Sequence, residues 1–429
     1  MKIPEVKWDE STIKDVAAFQ NGHAFYNDGY SGNTENGYFV IDLFNISEDG
    51  KLRFGNRDKY VSKSTAHKYN KFILNKGDLV LAMTDMTQSL GILGKCAIID
   101  KNDNYILNQR IGRIVPNDKI CAKYLHCYIN SPLFLKPLYS LAKGAVQKYV
   151  NTDDIKNSKI LLPPLNTQNK IAAILSAYDD LIENNLRRIK ILEEMAQNLY
   201  REWFVRFRFP GHEKVKMVDS KLGKIPEGWE IKDATDAILI NPVTRIPKQT
   251  EKIYVGMEGL SNNSMLISVT EYRHGNSGAK YKNRDTLFAR ITPCLENGKT
   301  GFVQFLPSDE EIALGSTEFI VLRSRTLCPE YVYLTARTES FRQNAIKSMS
   351  GASGRQRVQY ECFRKYLFAH PDVETLSKFS SLTSPVFRYI YLLSKQNDNL
   401  RSTRDLLLPK LISGEIDVSD KEIKVEEVA

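Results

Sequence analysis

The sequence is written twice, and this constrains the fold more than any other feature of it. Ile3-Pro4-Glu5, followed by Trp8, returns as Ile225-Pro226-Glu227, followed by Trp229. Gly77-Asp78-Leu79-Val80-Leu81-Ala82 returns as Arg284-Asp285-Thr286-Leu287-Phe288-Ala289, and Gly94-Lys95 as Gly298-Lys299. Gly144-Ala145, with Gln147 and Val150, returns as Gly351-Ala352, with Gln356 and Val358. Each copy then reaches a proline, Pro163 or Pro371, and a long helical segment. Residue by residue the likeness is weak. Its order holds through both halves at a period of about 210 residues, and chance rarely supplies an ordered series.

Each copy has two parts. The first mixes short β-rich runs, such as Lys71-Phe72-Ile73-Leu74, Leu79-Val80-Leu81-Ala82 and Phe319-Ile320-Val321-Leu322, with turns such as Glu35-Asn36-Gly37 and Glu296-Asn297-Gly298. That pattern reads as an α+β globular domain. The second part is a helix. Pro163-Pro164 stops the preceding strand, and Asn166 or Thr167 can cap the helix that begins there. Ile171, Leu175, Tyr178, Ile182, Asn185, Ile189, Leu192, Ala196, Leu199 and Trp203 then alternate four- and three-residue steps, a heptad seam. In the second copy the seam runs Leu376, Phe379, Thr383, Val386, Ile390, Leu393, Asn397, Leu400, Arg404, Leu407, Leu411. Each seam carries one mid-helix asparagine, a residue that costs stability when buried but can fix register and partner choice. Two amphipathic helices packed on their own domains would be the simpler reading. A seam this long exceeds what one globular helix face needs, so a coiled-coil pair is expected. At 1.5 Å per residue such helices reach roughly 55 Å, long enough to act as a ruler between two domains.

The formal net charge of +9 and a pI near 9.0 favour a polyanionic partner, nucleic acid first. The start of the chain lacks the apolar core of a secretory signal, and no apolar run reaches the roughly 18–20 residues that span a membrane. Cysteines 96, 121, 127, 294, 328 and 362 are scattered, as expected of reduced thiols in a cytoplasmic protein. His67, His126 and His370 lack a His, Cys or Asp at metal-ligand spacing, and His23, His212 and His274 lie in Gly-containing loops, so no metal site is expected.

Glycine-containing basic loops recur at one place in both copies. Lys143-Gly144-Ala145-Val146-Gln147-Lys148-Tyr149 and Gly351-Ala352-Ser353-Gly354-Arg355-Gln356-Arg357 bring backbone N–H groups and cations together, while Gln and Arg can reach base edges. The candidate DNA-binding residues are therefore Lys143, Gln147, Lys148, Arg355, Gln356 and Arg357, with Gln88, Lys95, Arg110, Arg290, Thr292 and Lys299 beside them. No catalytic residue is expected. The chain lacks a Gly-x-x-x-x-Gly-Lys-Ser/Thr phosphate loop, a Gly-x-Gly loop after a strand, and the Asn/Asp-Pro-Pro-aromatic segment that holds a target base in amino-methyltransferases. Asp179-Asp180 lies on the long helix, where solvated acids are the default.

Leu162-Pro163-Pro164-Leu165 with Gln168 and Ile171, then Ile174-Leu175-Ser176-Ala177-Tyr178-Asp179-Asp180, resembles the central conserved region of type I restriction–modification specificity subunits. So does Met195-Ala196-Gln197-Asn198-Leu199-Tyr200 with Trp203-Phe204. Asp219-Ser220-Lys221-Leu222-Gly223-Lys224-Ile225-Pro226-Glu227-Gly228-Trp229 resembles the segment opening that family's second recognition domain; Gly315-Ser316-Thr317-Glu318-Phe319 and Gly354-Arg355-Gln356-Arg357 resemble recognition-domain pieces. The resemblance spans essentially the whole chain. It implies an α+β fold with two α/β target recognition domains, joined by two long antiparallel coiled-coil helices in a pseudo-twofold internal repeat. The boundaries it implies are a first recognition domain over 1–160, a central helix over 161–210, a second recognition domain over 211–370, a distal helix over 371–416 and a flexible acidic tail over 417–429. Each domain would read one half of a split, asymmetric site in double-stranded DNA. The helices would pair through Ile182, Asn185, Ile189, Leu192 and Leu199 with Ile390, Leu393, Asn397, Leu400 and Leu407. They would dock two modification subunits, to which S-adenosylmethionine and methyl transfer belong, so this chain would bind no cofactor and no metal. A motor and nuclease subunit can join; no membrane partner is implied. The distal helix, with Phe379, Arg388 and Arg404 in or near its seam, follows the family pattern less closely. Three other readings stand beside this one: the specificity chain of a related system whose modification and cleavage activities share one polypeptide, a coiled-coil scaffold joining two protein-binding domains, and a stand-alone methyltransferase, which the missing cofactor loop disfavours.

Overall fold

The computed structural model describes residues 8–25, 30, 37–55, 57–87, 90–245, 251–269, 271–352 and 354–423. The chain divides into two compact units, one of residues 1–181 with 400–429 and the other of 182–399. The divisions fall inside the long helices. Each unit therefore holds one globular domain, part of the helix that follows it in sequence and part of the other.

The repeated Asp78 and Asp285 show why the copies fold alike. Gly77 and Arg284 before them sit at positive φ, 91° and 71°. Each aspartate then closes the turn, Asp78 accepting from the Asn75 N–H at 2.6 Å and Asp285 from the Lys282 N–H at 2.9 Å. Each also holds an arginine on the neighbouring strand: Asp78–Arg113 at 2.6 Å, Asp285–Arg323 in two bonds of 2.7 Å. Both aspartates are buried. Losing one partner of such a pair costs about 3–5 kcal/mol, because a buried charge is left uncompensated.

Around that anchor the strands follow one plan. In the first unit an antiparallel sheet orders Ala17–Asn21, Ile111–Pro116, Leu79–Ala82 and Cys96–Ile98; in the second the order is Ile238–Ile240, Phe319–Ser324, Thr286–Ala289 and Thr300–Phe302. A second sheet orders Tyr60–Ser62, Gly37–Ile41, Tyr105–Leu107 and Ile73–Leu74 in the first unit. Its counterpart orders Glu271–Arg273, Lys252–Val255, Ala313–Gly315 and Ala279–Tyr281. The middle pair is parallel in both. Two helices come next in each, Ala122–Ile129 with Pro132–Ser140 and Pro329–Arg337 with Glu339–Lys347. The strand opening each domain pairs with the strand closing it, Asp9–Thr12 with Lys159–Leu162 and Glu230–Asp233 with Leu367–His370. Prolines then bar further pairing, and the long helices begin.

These helices run Leu165–Tyr200, 36 residues, and Val373–Ile412, 40 residues, about 54 and 60 Å at 1.5 Å per residue. Within the second unit the pair is antiparallel: Asn185 meets Asn397, while Tyr200 and Trp203 meet Phe379. The two asparagines are buried. Asn185 Nδ2 donates to Asn397 Oδ1 at 2.9 Å, and Asn397 Nδ2 to the Ile182 carbonyl at 3.4 Å. Ile182, Ile189, Ile390 and Leu393 are buried beside them, and Leu192 and Leu199 are partly buried. In the first unit, Leu400 and Leu407 are partly buried, and Ile171, Leu175, Leu411 and Ile412 join the core. No helix among the described residues is long and apolar enough to cross a membrane.

Two expectations change. The tail at 417–429 is not free through its described part: Val418 is buried, and Ser419 is held by Thr167 and Lys170. Residues 424–429 lie outside the described residues. The apolar residues of the tail, Val418 and Ile423, pack on the first unit's core together with Ile416 just before it, and outweigh its acidic composition. The packing also does not divide at 160 or 370, because each globular core extends onto both helices.

Candidate nucleic-acid interface

Each basic loop is held by the same backbone bonds. In the first unit Lys143 and Tyr149 exchange N–H···O bonds of 2.9 and 3.0 Å, and the Val150 N–H donates to the Met83 carbonyl at 3.0 Å. In the second, Ser350 and Arg357 exchange bonds of 3.1 and 2.9 Å, and the Val358 N–H donates to the Arg290 carbonyl at 2.9 Å. One strand further in, the Met83 N–H donates to the Arg110 carbonyl at 2.9 Å, and the Arg290 N–H to the Glu318 carbonyl at 3.0 Å. Met83, Arg110 and Tyr149 therefore stand where Arg290, Glu318 and Arg357 stand. The second loop closes 350 on 357 where the first closes 143 on 149, so it is one residue longer. This corrects the sequence pairing: Gln356 matches Lys148, not Gln147. Gly144, at φ 92°, is required, since a Cβ there would lie 2.1 Å from the Gln147 carbonyl oxygen.

The side chains on this shared frame differ. Lys143 is exposed, and Gln147 and Lys148 are half-buried. Val146 stands almost fully in solvent. Arg110 is exposed at φ 71°. In the second unit Arg355 is exposed and Gln356 half-buried. Arg357, expected to contact DNA, grips Glu318 bidentately, with Nε 3.0 Å from both carboxylate oxygens and Nη2 2.7 Å from one. That grip holds the Glu318 carboxyl below its usual pKa range. Arg290 lies 4.0 Å from the same carboxylate, with its guanidinium 5.2 Å from the Tyr360 ring centre.

Three other candidates are drawn away from such a role. The Thr292 hydroxyl accepts from the Gln356 N–H at 3.1 Å, so it positions the loop. Lys299 donates to the Met257 carbonyl at 2.7 Å. Lys95 lines a cavity of about 470 Å³ with Asp49, His126, Asp179 and Arg404, and burial lowers its pKa. Gln88 lies outside the described residues. Among the described residues no group of His, Cys, Asp and Glu could hold a metal ion.

Glu318 and Tyr360 escaped the sequence reading as supports of this site. So did a basic and aromatic strip in the first unit. There Phe54 is 54% exposed, and the Arg53 and Arg57 guanidiniums lie 4.6 and 5.7 Å from the Phe44 ring centre. The alternation of cations and rings in Lys51-Leu52-Arg53-Phe54-Gly55-Asn56-Arg57-Asp58-Lys59-Tyr60 was the available signal. Trp203, the last position of the expected seam, and Phe204 beside it are buried in the second unit's core, with the Phe204 ring centre 4.6 Å from that of Tyr331 and 4.7 Å from that of Phe379. Both lie in a π-helical turn at Arg201–Val205.

A family model described as the type I restriction modification DNA specificity domain matches residues 5–194. The chain is 25% identical to the MjaIX specificity subunit of a type I restriction enzyme from Methanocaldococcus jannaschii, over 98% of this chain and 95% of that one. It is 31% identical to the MjaVIII specificity subunit of the same organism, over 46% and 45% of the two chains. Its fold matches the type I restriction–modification S subunit from M. genitalium with a TM-score of 0.56 at 13% identity, over 96% and 97% of the two chains.

Proposed function

The chain belongs to the type I restriction–modification specificity subunits, and from that premise we propose that each of its two units reads one half of a split site in double-stranded DNA. The observation that carries this reading is the duplicated frame: the same strand order, the same buried aspartate–arginine anchor and the same Gly-containing basic loop occur twice. The side chains on that frame differ between the units, so the two half-sites differ and the site is asymmetric. Arg355, Lys143 and Lys148 supply sequence-independent attraction to phosphates, while side chains fixed by neighbouring groups supply discrimination.

The long helices set the unread gap and dock two modification subunits. Their outer faces support that role, for Leu181, Leu186, Ile191 and Met195 on one and Leu382 and Leu392 on the other are about half exposed. A solvated helix face would be polar. S-adenosylmethionine and methyl transfer belong to those partners, and this chain performs no chemistry of its own. A restriction and motor subunit joins the same assembly, which works on DNA in the cytoplasm.

The test is to express the chain with its modification subunit in a host lacking other methylation and map the methylated bases across the genome. A two-part motif with a fixed gap, absent when either chain is omitted, is the expected result. Methylation by the modification subunit alone at the same motif would contradict the assignment.

A further inference from the structure

Glu318 faces two arginines and satisfies one. Arg357 occupies both carboxylate oxygens, whereas Arg290 stops at 4.0 Å, attracted but not bonded. The Arg290 Nε is buried and has no hydrogen-bond partner among the described residues. Its guanidinium is stacked on Tyr360, and its side chain keeps 26% exposure. Tyr360 also borders a cleft of about 410 Å³ lined by Asn241, Lys280 and Thr317. One carboxylate against two guanidiniums leaves the cluster with a positive charge beside the Gly351–Arg357 loop.

We propose that Arg290 reads a guanine in the half-site of the second unit, held in reading position by Glu318 and Tyr360. This rests on the reading of the chain as a DNA-specificity subunit. A guanidinium offers a planar fork of donors that matches guanine O6 and N7 in the major groove. A phosphate contact needs only a cation at the right distance and is well served by a mobile exposed side chain such as Arg355. Arg290 is the opposite case. A ring fixes its plane, a carboxylate limits its swing, and its donors are uncommitted. Glu318 is a positioning residue in this scheme: Arg357 holds its carboxylate by three hydrogen bonds, and it attracts Arg290 by charge without bonding it. At the matching backbone position the first unit carries Met83, which has no donor, so the two half-sites differ at the base pair that this position faces.

The experiment maps methylation by the full complex carrying Arg290→Met, which installs the first unit's own residue, and Arg290→Lys, which keeps the charge and loses the fork. One G·C position in one half of the motif should become degenerate in both variants, with discrimination falling about ten- to a hundredfold and all other positions and the gap unchanged. Glu318→Gln should weaken discrimination at that same position and nowhere else. An unchanged motif, relaxation at an A·T position, full discrimination retained by Arg290→Lys, or methylation lost evenly at every site in both Arg290 variants would each overturn the proposal. If the unaltered complex yields no two-part motif, the functional reading itself fails, and that result is distinct from all of these.

Discussion

Each unit packs its globular domain on apolar residues of the long helices, and the two differ in what stands beside that contact. In the first, a cavity lined by charged groups as well as by Leu175 and Leu408 opens beside that apolar contact. Lys95 and His126 face Asp179 and Arg404 across it; Arg404 bonds Asp179 at 2.5 Å and also Asp405, and the His126 ring donates to the Gly50 carbonyl at 2.8 Å. In the second, the junction holds Phe302 from the sheet, Tyr333 from a domain helix and Phe387 from the long helix. Those rings touch edge to face with centres 5.0–6.0 Å apart. The cluster continues through Tyr331, Phe379, Tyr200 and Phe204. The lesson is that one backbone plan tolerates either junction, because the strand order and the aspartate–arginine anchor already fix each domain. The junctions differ in what can loosen them: salt and acid for the first, loss of packed volume for the second.

The largest break in that comparison should come from Phe387→Ala. Removing a fully buried ring costs about 3–5 kcal/mol. Hydrogen exchange should show faster opening across Thr300–Phe302 and Pro329–Arg337, with the first unit's amides unchanged and the loss independent of salt. Arg404→Ala should cost the first unit less, about 1–3 kcal/mol, because its bonds to Asp179 and Asp405 are charge-assisted but partly solvated. Denaturant unfolding at low and at high salt should show that difference shrinking as salt screens the pair.

Acid should separate the units next. Burial, above all, lowers the His126 pKa from its ordinary 6.5. As pH falls through 6.5 the unfolded state takes up the proton first, so stability is present above 6.5 and is lost down to the lower folded value, at no more than about 1.4 kcal/mol per pH unit. His370 in the second unit is displaced the same way by its own burial, with the Lys232 charge beside it adding to the effect. Between pH 7 and 5 the first unit should lose stability, and His126→Gln should flatten that slope while leaving the second unit's slope as it was; an unchanged slope in the first unit would remove the histidine from the account. The smallest effect concerns the loops. Arg355→Ala should lower the salt slope of DNA binding by the complex by about 1 and leave the methylated motif intact, as binding titrations over a range of salt will show.

Much of this was legible in the sequence, and the reason is periodicity. The heptad seams with Asn185 and Asn397, the duplicated Asp78 and Asp285, and the recurring glycine loops are local patterns whose spacing states their geometry. What escaped were pairings between distant segments. Arg357 and Glu318 meet across 39 residues, and nothing near Arg357 announces that its charge is already answered. Lys95 and Lys299 are basic residues in turns, yet one faces a cavity and the other a carbonyl because of what packs above them. The single-residue difference between the loops was hidden by the recurrence of glutamine in both. Trp203 was legible as a seam position, whereas the π-helical turn at Arg201–Val205, in which Phe204 is buried beside it, was not.

The central claim is that each unit reads its own half-site, and one exchange tests it most directly. Residues from about 220 to 370 are replaced by the corresponding domain of another specificity subunit, a span about the size of an ordinary domain, and the methylated motif of the resulting complex is mapped. The account predicts that one half of the motif is rewritten while the other half and the gap stay as they were. A motif altered in both halves, or left intact, would contradict it.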